Sequence, residues 1–453
     1  MKQAKIGHGV KTQSAITELY QAELVLATRV DTRSKYVLFL FLFGSEVLWS
    51  AGTSEASPHL LDWKKSNRKG ASDMAVTKRD LLERVKSLVP LIRNRARESE
   101  IARRPHDEVI NALIDAEVMQ ALVPRCYGGH ELDLDIVTDT AREISRVCMS
   151  TGWVTAFYIG HNWMLTKLSE RAQRDVFADR PFGLIPIQPS PNVTIKDVQG
   201  GYEISGRSSF SSGIMHADWV LIAKAGGDDA RVFLVPREDV EVDDVWHMSG
   251  MSATGSNDVI VEKCFVPEYR TIPATVLFET TNSIHDNPLY RIPLLPFIFC
   301  EVMGVYVGGL EGATMAFDEL TQTKVAAWSA EVLAQRQAAH INLGEAHAQA
   351  RAAGILLDQQ VVDTQAIADA KDFTMENRLD LKLRATYISN MCRESVNTMM
   401  SRAGTRMFDL KSPLQRFFRD INVLGTHAFL DWEVGRELYG RNRLGLPPNN
   451  PLL

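Results

Sequence analysis

The sequence predicts an α+β protein in which a single block of strands interrupts two helical blocks. Three observations carry this. Apolar residues recur at helical spacing from about 77 to 180, the period falls to two between about 182 and 275, and helical spacing returns from about 295 to 440. The expected organisation is an N-terminal helical domain (74–181), a central β-barrel domain (182–290) and a C-terminal four-helix bundle (291–453). A chain of 453 residues, 45% hydrophobic and 23% charged, can bury a large core, which excludes disordered and fibrous classes.

Residues 1–73 read differently from the rest. Tyr36–Leu48 is an apolar run broken by Gly44, Ser45 and Glu46, too short to cross a bilayer and too far along the chain for an ordinary signal peptide. A polar, turn-rich stretch follows. Met74 then opens a segment with Leu81, Val85, Leu88 and Ile92 at helical spacing, so Met74 is expected to be the functional start and 1–73 a non-native or disordered extension. The alternative is a targeting or membrane-surface segment.

In the first helical block, Asp107 can cap a helix through Val118, and Pro124 and Gly128-Gly129 end it. Another helix follows Asp135. Trp153 to Leu168 reads as an apolar helix that carries His161. Within the strand block, GYEISGRSSF, ADWVLIAKA, RVFLVP and NDVIVEKCFVP are strands between Gly, Pro and Asp signals. So many short strands suggest a small barrel or a sandwich. The last block holds no proline between Phe297 and Arg406 and is rich in helix formers, which predicts long antiparallel helices.

Charge and cysteine usage exclude several functions. Lys and Arg number 50 against 56 Asp and Glu, a net charge of -6, which argues against nucleic acid or an anionic membrane as partner. The five cysteines stand far apart with no C-x-x-C pattern, so no metal site and no disulfide framework are expected, and a reducing cytoplasm fits. No uninterrupted apolar span of about 20 residues is evident, so no membrane association is expected. No G-x-G-x-x-G follows a strand; Gly304, Gly308 and Gly309 lie in a helical stretch. No nicotinamide site is therefore expected.

Four segments carry a family resemblance: STGWVTAFYIGHNWML (150–165), GGYEISGRSSFSSGIMHADWVLI (200–222), VWHMSGMSATGSNDVIVEKCFVPE (245–268) and PLQRFFRDINVLGTHAFLDWE (413–433). In this order and spacing the chain resembles the acyl-CoA dehydrogenase fold. The nearer likeness is to its oxygenase branch, the two-component flavin-dependent hydroxylases such as the 4-hydroxyphenylacetate and secosteroid phenol hydroxylases. The resemblance covers about 78–453. It implies an oxygenase component that takes reduced flavin (FMNH2 or FADH2) from a separate NAD(P)H-dependent flavin reductase. Oxygen would then be transferred through a C4a-hydroperoxyflavin to an aromatic, phenolic or polycyclic substrate. It also implies a homotetramer.

The resemblance assigns residues as well. Phe210 would stack on the isoalloxazine, with Ser211 beside it, and the Ser212 hydroxyl would approach flavin N5. By residues alone, FSSG is a Ser-rich turn with a core Phe. Trp153 would lie beside the flavin, with Ile187, Gln188 and Pro189 at the barrel's inner edge; the plain alternative for Trp153 is core packing. Thr405 and Arg406 would approach the flavin from a neighbouring subunit, Arg406 suiting a phosphate; the alternative is a solvated Arg. His161 would line the substrate pocket, against the alternative of a satisfied core histidine.

The dehydrogenase branch often carries its catalytic Glu eight residues after the Asp of an Arg-Asp pair. Counting from Asp420 gives Ala428, with His427 beside it, and the T-E-P and G-S-D motifs of dehydrogenases are replaced by IPIQPSPN. An acyl-CoA dehydrogenase-type FAD oxidoreductase is therefore the weaker alternative, and a non-catalytic ligand-binding homologue the third, motivated by Ser252-Ala253 where the family prefers Arg-Gly. His427 and Asp431 are expected to share one helical face. There His427 would take or share the proton of a phenol near its own pKa, and Asp431 would orient the ring.

Overall fold

The computed structural model describes residues 75–279, 282–325 and 332–450, with four strand fragments at Tyr36–Leu38, Leu42–Phe43, Glu46–Val47 and Ala51–Thr53. The chain divides into two units, Met1–Met74 and Ala75–Leu453. In the first, Tyr36–Leu38 pairs with Ala51–Thr53 and Leu42–Phe43 with Glu46–Val47. Apart from these fragments, the expectations for 1–73 and for Met74 fall outside the described residues.

The second unit opens with α1 (Lys78–Ala102). Thr77 and Asp80 form a reciprocal capping box at its start, and Leu81, Val85 and Ile92 are buried at helical spacing. His106, not Asp107, caps α2 (Asp107–Asp115), its ring nitrogen accepting from the Glu108 amide at 3.2 Å. Next come α3 (Asp135–Ser145), α4 (Met149–Leu165) and α5 (Glu170–Phe177). Sixteen of the seventeen residues of α4 are buried, including all its polar ones, so it runs through the core rather than along a surface.

Eight strands follow: β1 (Ile187–Ser190), β2 (Val193–Val198), β3 (Gly201–Ser211), β4 (Trp219–Lys224), β5 (Arg231–Pro236), β6 (Glu241–Asp243), β7 (Asn257–Pro267) and β8 (Thr271–Pro273). They form two four-stranded sheets, β6-β7-β3-β2 and β8-β5-β4-β1. This corrects the expected barrel. Val193, Ile204, Val220, Ile222, Phe233, Val259 and Val261 meet in a common apolar cluster drawn from both sheets. Where closure would need a ladder between β1 and β3, side chains bridge instead: Ser190 Oγ donates to Arg207 O at 2.8 Å and Ser211 Oγ to Gln188 Oε1 at 3.0 Å.

After α6 (Ala274–Glu279), the C-terminal helices are α7 (Leu294–Glu301), α8 (Met303–Thr323), α9 (Gln337–Ala370), α10 (Met375–Ala403), α11 (Pro413–Leu424) and α12 (Trp432–Arg443). Helices α8 to α11 pack together, and α12 lies on α10. Leu294–Thr323 is long and apolar enough on average to cross a membrane, but Glu301 and Glu311 interrupt it and 94% of its most apolar window is buried inside the protein. Core burial accounts for that composition. Gly304 and Gly308 admit the backbone of α3: a Cβ there would lie 2.3 Å from Thr138 O and 2.2 Å from Arg142 O.

Candidate active site

Helix α4 presents Trp153, Phe157 and His161 four residues apart, so they line one face. Their rings succeed one another at 4.6 and 4.7 Å between centroids. His427 extends the row at its Trp153 end, edge-on at 5.5 Å. Three expected site residues thus share one aromatic stripe.

Ser212 joins it. Strand β3 ends at Ser211, and the chain turns sharply there, the Ser212 amide donating to Phe210 O at 2.9 Å. Trp153 Nε1–H donates to Ser212 Oγ at 3.2 Å. Phe210 sits at φ +69°, a left-handed conformation that costs an aromatic residue about 1–3 kcal/mol, and its ring is 64% exposed beside Trp246. Gln188 on β1 is buried; its Oε1 accepts from Ser211 while its Nε2 has no partner among the described residues. On either side of it, Ile187 is half-buried and Pro189 exposed.

The two histidines differ in their partners. His161 is fully buried and its Nδ1 bonds the carbonyl of Ile185. A carbonyl can only accept, so Nδ1 carries the proton and Nε2 the lone pair. His427 is half-buried, and its Nδ1 has no partner among the described residues. Burial pulls both imidazoles down to a pKa of about 4, so both are neutral at physiological pH. This overturns the expectation of a histidine titrating near neutrality.

The His427–Asp431 pair is also corrected. Helix α11 stops at Leu424, and His427 and Asp431 are extended residues flanking a short turn, Ala428–Leu430. Asp431 is exposed and its carboxylate caps α12, accepting from the Val434 amide at 3.1 Å. It makes no hydrogen bond to His427. Ala428, Thr405 and Arg406 are exposed, and none has a hydrogen bond, ion pair or ring contact with the Trp153–Ser212 group.

Three features escaped the sequence reading. Thr254 and Ser256 continue the hydroxyl contacts of Ser212: Ser212 Oγ lies 2.8 Å from Ser256 Oγ, itself 2.6 Å from Thr254 Oγ1. Glu301, at the end of α7, is fully buried with neither carboxylate oxygen paired among the described residues, and burial pushes its pKa well above the carboxylate range. It packs against α4 where Gly160 leaves space; a Cβ on Gly160 would lie 1.8 Å from its Oε1. Its signal was a lone charge in the run FIFCEVMGVYVGG. Lys167 Nζ holds the carbonyls of Tyr290 at 2.6 Å and Ile292 at 3.1 Å, fixing the segment that leads into α7. Burial lowers its pKa to about 7.

The residues fit a flavin ring. Phe210 and Ser212 stand at the end of β3, Gln188 is bonded to that strand through Ser211, and His427 faces Trp153, which is bonded to Ser212. An aromatic ring, a hydroxyl and two nitrogens unpaired among the described residues, Gln188 Nε2 and His427 Nδ1, are groups of the types an isoalloxazine would need. Among the described residues no group of three or more His, Cys, Asp or Glu could hold a metal.

Comparisons with known proteins point the same way. Residues 302–432 match the family described as acyl-CoA dehydrogenase, C-terminal domain. The chain is 42% identical over 392 residues to a pigment production hydroxylase of Rhodococcus sp. (strain ATCC 21145), covering 84% of this chain and all of that one. It is 31% identical to the flavin-dependent monooxygenase oxygenase subunit HsaA of Rhodococcus jostii, over 81% of this chain and 98% of that one. The solved structure of XiaF from Streptomyces sp. in complex with FADH2 and glycerol superimposes with a TM-score of 0.77 at 26% identity, covering 87% of this chain and all of XiaF.

Proposed function

This chain belongs to the flavin-dependent monooxygenases, as an oxygenase component on the acyl-CoA dehydrogenase fold, and from that premise we propose that it hydroxylates a phenolic or polycyclic aromatic substrate. The observation that carries the reading is the single stripe joining His427, Trp153, Phe157 and His161, with Ser212 bonded to its tryptophan. Reduced flavin, FMNH2 or FADH2 delivered by a separate NAD(P)H-dependent reductase, supplies when bound the electrons that activate dioxygen. Phe210, Ser212, Trp153, Gln188 and His427 are the residues that would hold its ring.

His161 is the group best arranged to take the substrate hydroxyl. Its fixed tautomer turns an acceptor nitrogen away from Ile185, which is what a phenol O–H requires. With a pKa of about 4 it is a weak base. It therefore orients and polarises the O–H, raising electron density at the ortho carbon, rather than removing the proton outright. Since Asp431 is committed to capping α12, His427 has no orienting carboxylate, and it is assigned to the cofactor edge beside Trp153. The buried, largely apolar walls of α4 and α7 exclude water that would divert the oxygen.

Four further readings belong to this proposal. Thr405 and Arg406, exposed in one chain, reach the flavin of a neighbouring chain in a homotetramer. The protein works in the cytoplasm. Residues 1–73 are not part of the catalytic unit. No membrane or nucleic acid takes part. The direct test is to supply the purified chain with a flavin reductase, NADH and a panel of phenols, and to follow product by a mass gain of one oxygen atom. If no phenol is hydroxylated while thioesters of coenzyme A are dehydrogenated, the assignment fails. Light scattering that shows a monomer removes the contribution in trans.

A further inference from the structure

We propose that Thr254 and Ser256 are positioning residues that lock the Ser212 hydroxyl as a hydrogen-bond acceptor, and that this lets the site select reduced over oxidised flavin. The inference rests on the reading above that Ser212 faces flavin N5. Its basis is the direction of a hydroxyl chain. Thr254 Oγ1 lies 2.8 Å from the Met251 carbonyl, and a carbonyl has no proton to give, so the Thr254 hydroxyl is the donor there. Its proton being spent, Thr254 can only accept from Ser256 at 2.6 Å. Ser256 in turn can only accept from Ser212 at 2.8 Å. The Ser212 proton therefore points away from the site.

The other end of the chain is fixed as well. Trp153 Nε1–H can only donate, and it occupies one lone pair of Ser212 Oγ at 3.2 Å. One lone pair remains, and any ligand atom that meets it must bring a proton. Reduced flavin carries N5–H and satisfies this; oxidised flavin carries a lone pair at N5 and would face another. The frame that holds the chain is itself hydrogen-bonded. Met251 and Gly255 both take left-handed backbone conformations, and the Met251 amide donates to the buried Asp420 carboxylate at 2.6 Å. The Gly213 amide ties the Ser212 turn to the carbonyl of Thr254 at 2.9 Å.

The test measures affinity for both redox states with no turnover. Oxidised FMN and FAD are titrated by fluorescence quenching, and their reduced forms are titrated anaerobically. The protein is expected to bind the reduced form more tightly. Thr254→Val is nearly isosteric and removes the terminal donor and acceptor, so Ser256 and Ser212 can reverse and donate towards the ligand. The preference for reduced flavin should then fall roughly three- to tenfold, the worth of one hydrogen bond, mainly through tighter oxidised binding. Ser256→Ala should do the same, and Thr254→Ser should restore the preference. If both disrupting variants keep the wild-type ratio while Ser212→Ala lowers it, the relay is wrong and the placing of Ser212 stands. If Ser212→Ala also leaves the ratio unchanged, Ser212 does not face the flavin and both readings fall.

Discussion

Two buried polar groups touch the same helix and are treated in opposite ways. At the Trp153 end of α4, an indole, three hydroxyls and a carbonyl form an unbroken chain in which each group has its partner. At Gly160, two turns along, Glu301 has no partner for either oxygen among the described residues. The first arrangement fixes where protons point, because a satisfied network has one low-energy orientation. The second suppresses a charge, because an unpaired carboxylate in an apolar wall is held neutral by the cost of ionising it. One helix thus carries a device for direction beside a group whose protonation is decided by burial alone.

The comparison can be broken or sharpened by substitution. The largest effect is expected from His161→Ala, on the stripe between the two groups. It should lower hydroxylation roughly 10²–10⁴-fold, the range for a positioned acid–base group, while flavin oxidation continues with peroxide as product. Comparing product with peroxide by chromatography checks this, and unchanged coupling would remove His161 from the site. His427→Ala should weaken flavin binding more than it affects the product-to-peroxide ratio. An effect confined to that ratio would exchange the roles of the two histidines.

Gly160→Ala comes next. It pushes a methyl into the Glu301 carboxyl and should destabilise the protein by about 1–3 kcal/mol, as overpacking does. Chemical denaturation measures it, and Gly160→Ala with Glu301→Ala should recover part of the loss. Glu301→Gln should stabilise the protein at neutral pH by on the order of 1 kcal/mol. The sign follows from linkage: with a folded pKa above the unfolded one, the native state of Glu301 holds its proton longer, so its contribution is present at low pH and is lost as pH rises. The advantage of Gln must therefore shrink as the pH falls towards 4.5. His161 and His427 run the other way, their depressed pKa values costing stability as pH falls from 6.5 towards 4. The smallest effect is that of Asp431→Ala, about 1 kcal/mol from a lost cap, with coupling untouched. A rise in peroxide would return Asp431 to the chemistry.

Much of this was legible in the sequence, and what was not has physical reasons. Periodicity exposed the helical blocks and α4, because burial on one face or all faces writes itself into spacing. The four-residue steps from Trp153 to His161 hold in the structure for that reason. The step from His427 to Asp431 has the same spacing but no helix under it, because Gly425 ends α11 and Asp431, followed by Trp432-Glu433, begins a new one. An Asp before an acidic first turn is a helix-start signal, and it outweighs spacing. The sandwich was read as a barrel because alternation reports which face of a strand is buried, not which edges pair. Gln188, Ser190 and Ser211 decide that by side-chain bonds that no period encodes. Likewise Thr254 and Ser256 gain their role only when a loop brings them to Ser212.

The apolar stretch Leu294–Thr323 has a consequence for how the chain is made. Its surface is sealed by α3 on one side and by α9, α10 and α11 on others, and those three helices end only at Ala370, Ala403 and Leu424. On a ribosome, about a hundred residues must still be added after Thr323 before the last cover exists. During that interval the segment is a sticky, helix-forming surface of the kind that chaperones hold. A chain stopped near Lys324 should therefore aggregate, whereas one ending just after α12 should remain dispersed, a difference that sedimentation of the two truncated translation products measures directly.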